Sequence, residues 1–564
     1  MNRDTLHGSA QWATSAELKA AGLLKPPGLH VGFGPDNGKA PLWLDGDAPL
    51  FTAAGAGSGK GTTIIIPAIL TYPKPLFVLD PKGENAALTI HHQARLRKDA
   101  YCINPWGIHY GAPWFLPMHN VNPLDVLTPE SPSLVADCKL IMQMMIPKTG
   151  GGDDYWTMKP RELGFAVLLW QVRKEGRIDA VRFYALLSSI FARPALWKQI
   201  VDDLLAFPDM EVRRIVGEIE YKRKEAQGEF SGITGKLFEA LAFITDPALS
   251  RCLQGGDFSL SVLTDTRPAT VYLIVPGAFM QLYAPFMRLM IGVAMLYKER
   301  QPKRPRVVFL LDEAAQLGHF EMLKLAFSYM RGGGVRTWAF FQSIGQLVEL
   351  YDQAGAQAFL ESAQLRQFFG VGHYDTARLV SNMLGVQTAF YDDPLYQTPH
   401  QHQAMDALLH GGMTTQAILT AAGHITLSGM KSTTQRPLMH PDEVLRLGPN
   451  QQICFVSGKT PSLNPVLAGR RPYYARPDFA GAYLPNPNHP PFDRVKVASR
   501  FGWSWTWKVW SHEVPAHWAG LPQYQQGMIS YAARTPRLAL SRAVGGALSG
   551  SVGEKARLLL SGSS

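Results

Sequence analysis

Cysteine is scarce in this 564-residue sequence, and its four cysteines stand far apart. No two of them have the CxxC spacing of a structural zinc site, and no closely spaced set suggests a disulfide framework. These absences argue against a disulfide-stapled secreted scaffold and favour a reducing compartment such as the cytosol. The cysteines are Cys102, Cys138, Cys252 and Cys454.

Long apolar segments are also missing. Residues 1–11 lack the hydrophobic core that an export signal requires. Two prolines, a glutamine and an arginine interrupt the most apolar stretch, 269–297, before about eighteen apolar residues accumulate. We therefore predict no transmembrane segment in this chain. We interpret the stretch as a buried strand, 271–275, followed by a core helix.

Charged residues make up only 18% of the chain, with a formal net charge of +10. A positive surplus favours a polyanionic partner such as nucleic acid or an anionic membrane surface, but here the charge is spread out and does not decide the question. Hydrophobic residues at 46% are typical of a folded globular protein and exclude a fibrous or largely disordered chain. The length predicts roughly three or four domain-sized units.

Five short apolar runs are bounded by polar, proline or glycine-rich turns and alternate with helical patterns. This arrangement predicts strands that are buried on both faces of a parallel sheet. Ligands bind such sheets at the carboxyl ends of the strands, so functional side chains are expected directly after them. The runs are 50–53, 76–79, 271–275, 307–311 and 337–341.

The most specific motif follows the first predicted strand, where residues 54–62 read AGAGSGKGT. Glycines allow successive backbone N–H groups to turn toward phosphate oxygens, the following helix adds its dipole, and the lysine reaches the β- and γ-phosphates. The sequence therefore predicts a nucleotide site, and hence ATP as ligand. Its predicted residues are Gly55, Ala56, Gly57, Ser58, Gly59, Lys60, Gly61 and Thr62.

The motif departs from the usual GxxxxGK[ST] pattern at two positions. Ala54 replaces the first glycine, and Gly61 stands where a hydroxyl ligand of Mg²⁺ is expected. Thr62 or Thr63 must then supply that hydroxyl.

A second motif ends the predicted strand 307–311 with two carboxylates, Asp312 and Glu313. We expect Asp312 to hold Mg²⁺ and Glu313 to activate the attacking water as a general base. An apolar run followed by Asp-Glu is a weak signal alone. Together with Lys60 it becomes a strong one.

A third group surrounds the strand 337–341. Gln342 follows this strand and is expected to orient water or sense the γ-phosphate, although it could instead satisfy a loop backbone. Upstream, a glycine run that we interpret as flexible carries Arg331 and Arg336. We take Arg331 as the arginine that stabilises transition-state charge and Arg336 as its rival; either could instead be a solvated surface residue.

Together these motifs resemble the type IV secretion and conjugation coupling proteins of the TraG/TraD kind, relatives of the FtsK and HerA DNA translocases. The Gly after Lys60 and the run DPKGE are similar to that family's own pattern. The matching segments are LHGSA (6–10), SGKG (58–61), VLDPKGE (78–84), NPLD (122–125), LDEA (311–314), LG (317–318), QS (342–343) and QL (346–347).

The resemblance implies an α/β fold, a RecA-like P-loop nucleotide-binding domain with an inserted all-α domain. It also implies a hexameric ATPase that uses ATP and Mg²⁺ to deliver a substrate to a type IV secretion channel. The substrate is expected to be DNA, as a single strand with a relaxase, or an effector protein. Such a protein works at the cytoplasmic face of the inner membrane. Family members usually carry an N-terminal membrane anchor, whereas here the likeness begins almost at Met1.

Helical spacing of apolar residues marks the expected insertion, and glycines 150–152 and 255–256 flank it. We divide the chain into a first nucleotide-binding part (1–153), the all-α domain (154–255), a second nucleotide-binding part (256–475) and a C-terminal extension (476–564). Aromatic residues alternate at strand period near the end of the chain, at Phe501, Trp503, Trp505 and Trp507, with Trp510 and Trp518 beyond them. They fit a core or subunit contact better than base stacking or membrane anchoring.

Two other functions stay open on this evidence. One is a docking platform for substrate that does not turn over nucleotide. The other is a DNA translocase of the FtsK or HerA type without a secretion partner. Lys60, Asp312, Glu313 and Gln342 together favour the motor.

Overall fold

All five apolar runs predicted as strands lie in one β-sheet of the computed structural model. The structure describes residues 6–35, 40–111, 114–148, 154–392, 394–410, 418–420, 422, 424–425, 431–459, 462–479, 482–489, 494–498 and 504–508. The strands are β1 (Leu29–Phe33), β2 (Pro41–Leu44), β3 (Leu50–Ala54), β4 (Leu76–Pro81), β5 (Asp99–Ile103), β6 (Ala269–Val275), β7 (Val307–Leu311), β8 (Val335–Phe341), β9 (Leu365–Phe369), β10 (Val386–Tyr391), β11 (Ser432–Pro437), β12 (Gln451–Val456), β13 (Val466–Gly469), β14 (Arg494–Ala498) and β15 (Ser504–Lys508).

The strand order determines which loops can meet. Across the described residues the large sheet has the order β2-β1-β13-β12-β9-β3-β8-β7-β4-β6-β5. From β9 to β5 neighbouring strands are parallel, whereas β12, β13, β1 and β2 extend the sheet with antiparallel pairs. Strand β8 lies between β3 and β7. The turns that follow these three strands are therefore neighbours at one edge of the sheet.

The five predicted strands are buried on both faces, as their apolar sequences predict. Successive side chains alternate between the faces, so each strand contributes to two hydrophobic clusters. On one face, Phe51 stacks on Phe341 and Phe77 on Phe309, with ring centroids 5.6 and 5.7 Å apart. These pairs tie neighbouring strands together beneath the turns at the carboxyl edge.

Helices cover both faces and form a consecutive group between β5 and β6. The insertion predicted at 154–255 contains α5 to α10, while the division into domains stays a prediction. Glycines 150–152 lie outside the described residues. The helices are α1 (Ser15–Ala20), α2 (Ile66–Thr71), α3 (Glu84–Gln93), α4 (Leu134–Met145), α5 (Tyr155–Glu175), α6 (Ala180–Ala192), α7 (Pro194–Leu205), α8 (Met210–Glu225), α9 (Gln227–Leu241), α10 (Pro247–Leu253), α11 (Ala284–Glu299), α12 (Glu321–Ser328), α13 (Ile344–Ser362, kinked at Asp352), α14 (Tyr374–Leu384), α15 (Pro394–His410) and α16 (Pro441–Leu445).

The apolar stretch 269–297 is the strand β6 followed by the core helix α11, as predicted. Nearly all of α11 is buried within the protein. In the described part of the chain, none of the helices combines the length and hydropathy that crossing a bilayer requires.

Two residues of the C-terminal aromatic cluster lie within the described part of the chain. Trp505 and Trp507 belong to β15, which pairs with β14 in a two-stranded sheet, as their period suggests. Phe501, Trp503, Trp510 and Trp518 lie outside the described residues.

A chain of buried polar side chains crosses the junction between the parallel and antiparallel strands. Trp338 Nε1 donates to Thr52 Oγ1 at 2.9 Å, and Thr52 Oγ1 donates to Gln367 Oε1 at 2.9 Å. Gln367 Nε2 donates to Gln452 Oε1 at 2.6 Å and to Val31 O at 3.0 Å. These bonds link β8, β3, β9, β12 and β1, and every one lies in the protein interior.

Gln367→Leu is predicted to lower the free energy of unfolding by about 2–4 kcal/mol, because it leaves buried polar groups of Thr52 and Gln452 without their partner. Urea unfolding measures the loss. The matched control is Gln357→Leu on the exposed face of α13, where a change within about 0.5 kcal/mol is expected. Equal effects of the two substitutions would contradict the importance of the buried chain.

Candidate active site

The loop that follows β3 has the backbone geometry of a phosphate cradle. Gly57 and Gly59 have φ angles of +70° and +83°, which side chains other than glycine rarely adopt. A Cβ at Gly55 would lie 2.3 Å from Gly370 O, so this position requires glycine for close packing against the end of β9. The helix expected after this loop begins as a π-helical turn, Gly61–Ile65, and continues as α2.

The structure brings Lys60 together with both predicted carboxylates. Lys60 Nζ lies 3.1 Å from Asp312 Oδ1 and donates a hydrogen bond to Glu313 Oε1. Gln342 Nε2 donates to Glu313 Oε2 at 3.0 Å. This contact follows from the strand order, because Gln342 directly follows β8 and β8 lies between β3 and β7. All four side chains therefore form one cluster.

Burial and charge oppose each other in this cluster. Burial raises the pKa of Asp312, the charge of Lys60 lowers it and Glu313 raises it, and the net result is a raised pKa. For Lys60, burial lowers the pKa, but attraction to Asp312 and Glu313 outweighs it, so the pKa lies above its usual value. The ammonium thus stays charged and compensates two carboxylates.

Glu313 has an unusual backbone. Its φ angle of +56° places it in the left-handed region, at the point where β7 turns into the 3₁₀ helix Ala314–Leu317. A non-glycine residue in this region costs about 1–3 kcal/mol, and such strain concentrates at functional sites. The left-handed conformation of Glu313 is consistent with a position in a functional site.

The two threonines proposed as metal ligands differ in their surroundings. The Thr63 hydroxyl is buried, donates to Gly59 O at 2.7 Å and accepts from Arg470 Nη1 at 3.2 Å. A guanidinium beside it disfavours a divalent cation. The Thr62 hydroxyl is partly exposed and donates to Gly59 O at 3.1 Å. Of the two threonines, Thr62 is better suited to act as a ligand of Mg²⁺.

Arg336 cannot be the arginine that reaches another nucleotide. Its side chain is only 1% exposed and donates to Ala48 O, Leu44 O and Gln364 Oε1 at 3.1, 3.4 and 3.1 Å. It holds the segment before β3 against the start of β8. Its role is structural, which the sequence did not reveal.

Arg331 lies away from the cluster of its own chain. It precedes β8, whereas Gln342 follows the opposite end of that strand. The side chain is 61% exposed and its Nε lies 3.9 Å from Asp47 Oδ2. Any contact of Arg331 with a nucleotide must therefore involve a second copy of the chain.

The glycine run after Arg331 is a packed turn and not a loose loop. Residues Met330–Gly333 form a 3₁₀ helix, and Lys298 Nζ donates to Gly333 O at 3.0 Å. A Cβ at Gly334 would lie 2.7 Å from the end of the Lys298 side chain. The glycines thus allow the end of α11 to pack closely against this turn, and the contact fixes the backbone that carries Arg331.

The DPKGE segment, residues 80–84, connects β4 to α3 and lies beside the cluster. Asp80 is fully buried at the end of β4 and accepts hydrogen bonds from Ala86 N at 2.7 Å and from the backbone and side chain of Asn85, both at 3.2 Å. Burial raises the pKa of Asp80 to about 7. Asp80 thereby holds the start of α3 next to the strand that carries Asp312.

Sequence reasoning missed Arg470, which contacts the phosphate-binding loop from β13, more than four hundred residues downstream. Its Nη1 donates to Ser58 O at 2.8 Å. The segment GRRP around it matches no motif with a known mechanism. Only the fold reveals this contact.

Comparisons with known proteins show what the chain is similar to. A model of the family described as "Type IV secretory system Conjugative DNA transfer" matches residues 11–489. The conjugal transfer protein TraG of Escherichia coli is 23% identical over 86% of this chain and 79% of its own length. Protein VirD4 of Agrobacterium fabrum is 26% identical over 81% of this chain and 64% of its own.

Solved structures of the conjugative coupling protein TrwB share the fold. TrwBdeltaN70 in complex with sulphate has a TM-score of 0.55 and 15% identity, covering 82% of this chain and 95% of that one. TrwB in complex with ADP and Mg²⁺ has the same TM-score and identity, covering 82% and 94%. This likeness confirms the predicted α/β class, a RecA-like P-loop fold with a large parallel sheet and helical regions.

Lys60→Met is predicted to destabilise the protein more at pH 8 than at pH 5. Without the ammonium, the pKa of Asp312 rises further above its value in the unfolded chain. A carboxyl group whose pKa is higher in the folded state contributes stability at low pH, and this stability is lost as the pH rises. The expected loss at pH 8 is about 1–3 kcal/mol, discounted for partial exposure. Urea unfolding at both pH values measures it. A loss independent of pH would contradict the described charge balance.

Proposed function

The chain belongs to the type IV secretory system conjugative DNA transfer family, and we propose that it is an ATP-hydrolysing coupling protein that recruits substrate and drives it into a secretion or conjugation channel. The contact of Lys60 with Asp312 and Glu313, together with the Glu313–Gln342 hydrogen bond, carries this proposal. A platform that only docks substrate would not need this cluster.

The residues of the site fit a magnesium nucleotide. Left-handed Gly57 and Gly59 allow the loop N–H groups to converge on phosphate oxygens, and Lys60 adds a positive charge at the end of the loop. Asp312 and Thr62 supply the oxygen ligands that Mg²⁺ prefers. Bound Mg²⁺ would neutralise charge on the phosphate oxygens.

Glu313 then acts as the general base that accepts the proton of the attacking water, and Gln342 holds its carboxylate in position. Lys60 donates to this same carboxylate. A nucleotide phosphate therefore competes with Glu313 for the Lys60 ammonium. Release of Glu313 from Lys60 leaves one of its oxygens free to take a proton.

The substrate is DNA, as single strand with its relaxase, or an effector protein. The net charge of +10 suits nucleic acid, and the relatives named conjugal transfer proteins favour it. The partners are components of the type IV channel at the cytoplasmic face of the inner membrane, and the working form is a homo-hexamer. Family membership favours this role over a translocase unrelated to secretion.

Two substitutions separate binding from catalysis. Lys60→Ala should weaken nucleotide binding and abolish hydrolysis, because it removes the ammonium that meets the phosphates. Glu313→Gln should keep Mg-ATP bound while turnover falls by about a hundredfold or more, because Asp312 and Lys60 survive and the neutral amide cannot accept the proton of the attacking water. Calorimetry measures binding and phosphate release measures turnover. If Glu313→Gln loses binding as severely as Lys60→Ala, the assigned roles are wrong.

Arg331 is proposed to complete the site of a neighbouring subunit. Its exposed side chain on a fixed turn meets the requirement for an arginine supplied in trans, which can contribute about a thousandfold to rate. Arg331→Ala should therefore reduce turnover strongly and nucleotide binding little. Arg304→Ala, another exposed arginine, is the matched control and should leave turnover near wild type.

Mixed assemblies provide the decisive measurement. Arg331→Ala subunits keep Lys60, and Lys60→Ala subunits keep Arg331, so a mixture contains sites that combine both intact groups. We expect ATPase activity to reappear on mixing two variants that are inactive alone. Full activity of Arg331→Ala by itself would eliminate this residue.

A further inference from the structure

Arg470 follows β13 and contacts a backbone carbonyl of the phosphate-binding loop. Its side chain is 3% exposed. Nη1 donates to Ser58 O at 2.8 Å and to Thr63 Oγ1 at 3.2 Å. One guanidinium thus contacts both the loop before Lys60 and the helical turn after it.

The other donors of Arg470 fix the guanidinium to the antiparallel side of the sheet. Nε donates to Gln451 O at 3.2 Å, and Nη2 donates to Pro449 O at 2.5 Å. The guanidinium also lies over the ring of Phe369, 3.9 Å from its centroid. Five contacts on a buried planar group leave it little freedom to rotate.

Peptide geometry connects this anchor to phosphate binding. The carbonyl and N–H of a trans peptide point in opposite directions. A Ser58 carbonyl held by Arg470 therefore directs the Gly59 N–H away from Arg470. This orientation suits an N–H group that belongs to a phosphate cradle.

We propose that Arg470 is a positioning residue for nucleotide binding, which holds the Ser58–Gly59 peptide and the Thr63 hydroxyl so that the loop N–H groups are preorganised for phosphate. The inference rests on the proposed function. It deepens that function by extending the phosphate site to β13. Thr63 is engaged in this anchor, which leaves Thr62 for the metal.

The test compares Arg470→Lys and Arg470→Met with the same changes at Arg476. Arg476 is an equally buried arginine, 4% exposed, whose guanidinium contacts His30, Asp478 and the ring of Phe479. A fluorescent non-hydrolysable ATP analogue with Mg²⁺ is titrated below the unfolding temperature of all variants. The Arg470 variants should bind about 10–100-fold more weakly, as expected for loss of a charged hydrogen bond. The Arg476 variants should remain within about twofold of wild type.

The kinetic readout separates positioning from catalysis. At saturating ATP the Arg470 variants should keep kcat within about threefold while KM rises, because the loop binds ground and transition states alike. Unchanged affinity, an equal loss in the Arg476 variants, or failure of both Arg470 variants to fold while the Arg476 variants fold would overturn the proposal. Wild-type protein that binds no nucleotide would instead overturn the proposed function itself.

Discussion

The ion pair of Lys60 with Asp312 and Glu313 is the interaction on which the site depends. Three charges in a largely buried place are tolerable only when opposite signs lie within contact, as they do here at 3.1 Å for Asp312. Such contact requires the loops after β3 and β7 to meet across the end of β8, which lies between these two strands. Gln342, the first residue after β8, donates a hydrogen bond to Glu313 at this point.

The rest of the domain holds these three loops in place. Stacked phenylalanines fix neighbouring strands beneath the carboxyl edge, and the buried chain from Trp338 to Gln452 joins that part of the sheet to the antiparallel strands. From those strands Arg470 extends to Ser58. At the other end of β8, Lys298 fixes the turn that carries Arg331. The cluster around Lys60, the side chain of Arg470 and the turn that carries Arg331 are thus linked through β8 and its neighbours.

Much of this arrangement could be predicted from sequence, because its signals are local. Apolar runs predicted the five strands, and the residues directly after three of them predicted the cluster of Lys60, Asp312, Glu313 and Gln342. Contacts made across the chain left no such signal. Arg336 and Arg331 look alike in sequence, yet one is buried against Ala48 and the other is exposed. Arg470 lacks any motif, and the strand order β13-β12-β9-β3 brings it to Ser58.

The central claim is that Lys60 exchanges Glu313 for a nucleotide phosphate, which frees the base that hydrolysis needs. A structure of the full chain with Mg²⁺ and a non-hydrolysable ATP analogue tests it most directly. We predict Lys60 Nζ within hydrogen-bond distance of a β- or γ-phosphate oxygen, and Glu313 still bound to Gln342 but released from Lys60. A nucleotide bound at the loop while Lys60 remains paired with Glu313 would contradict the account.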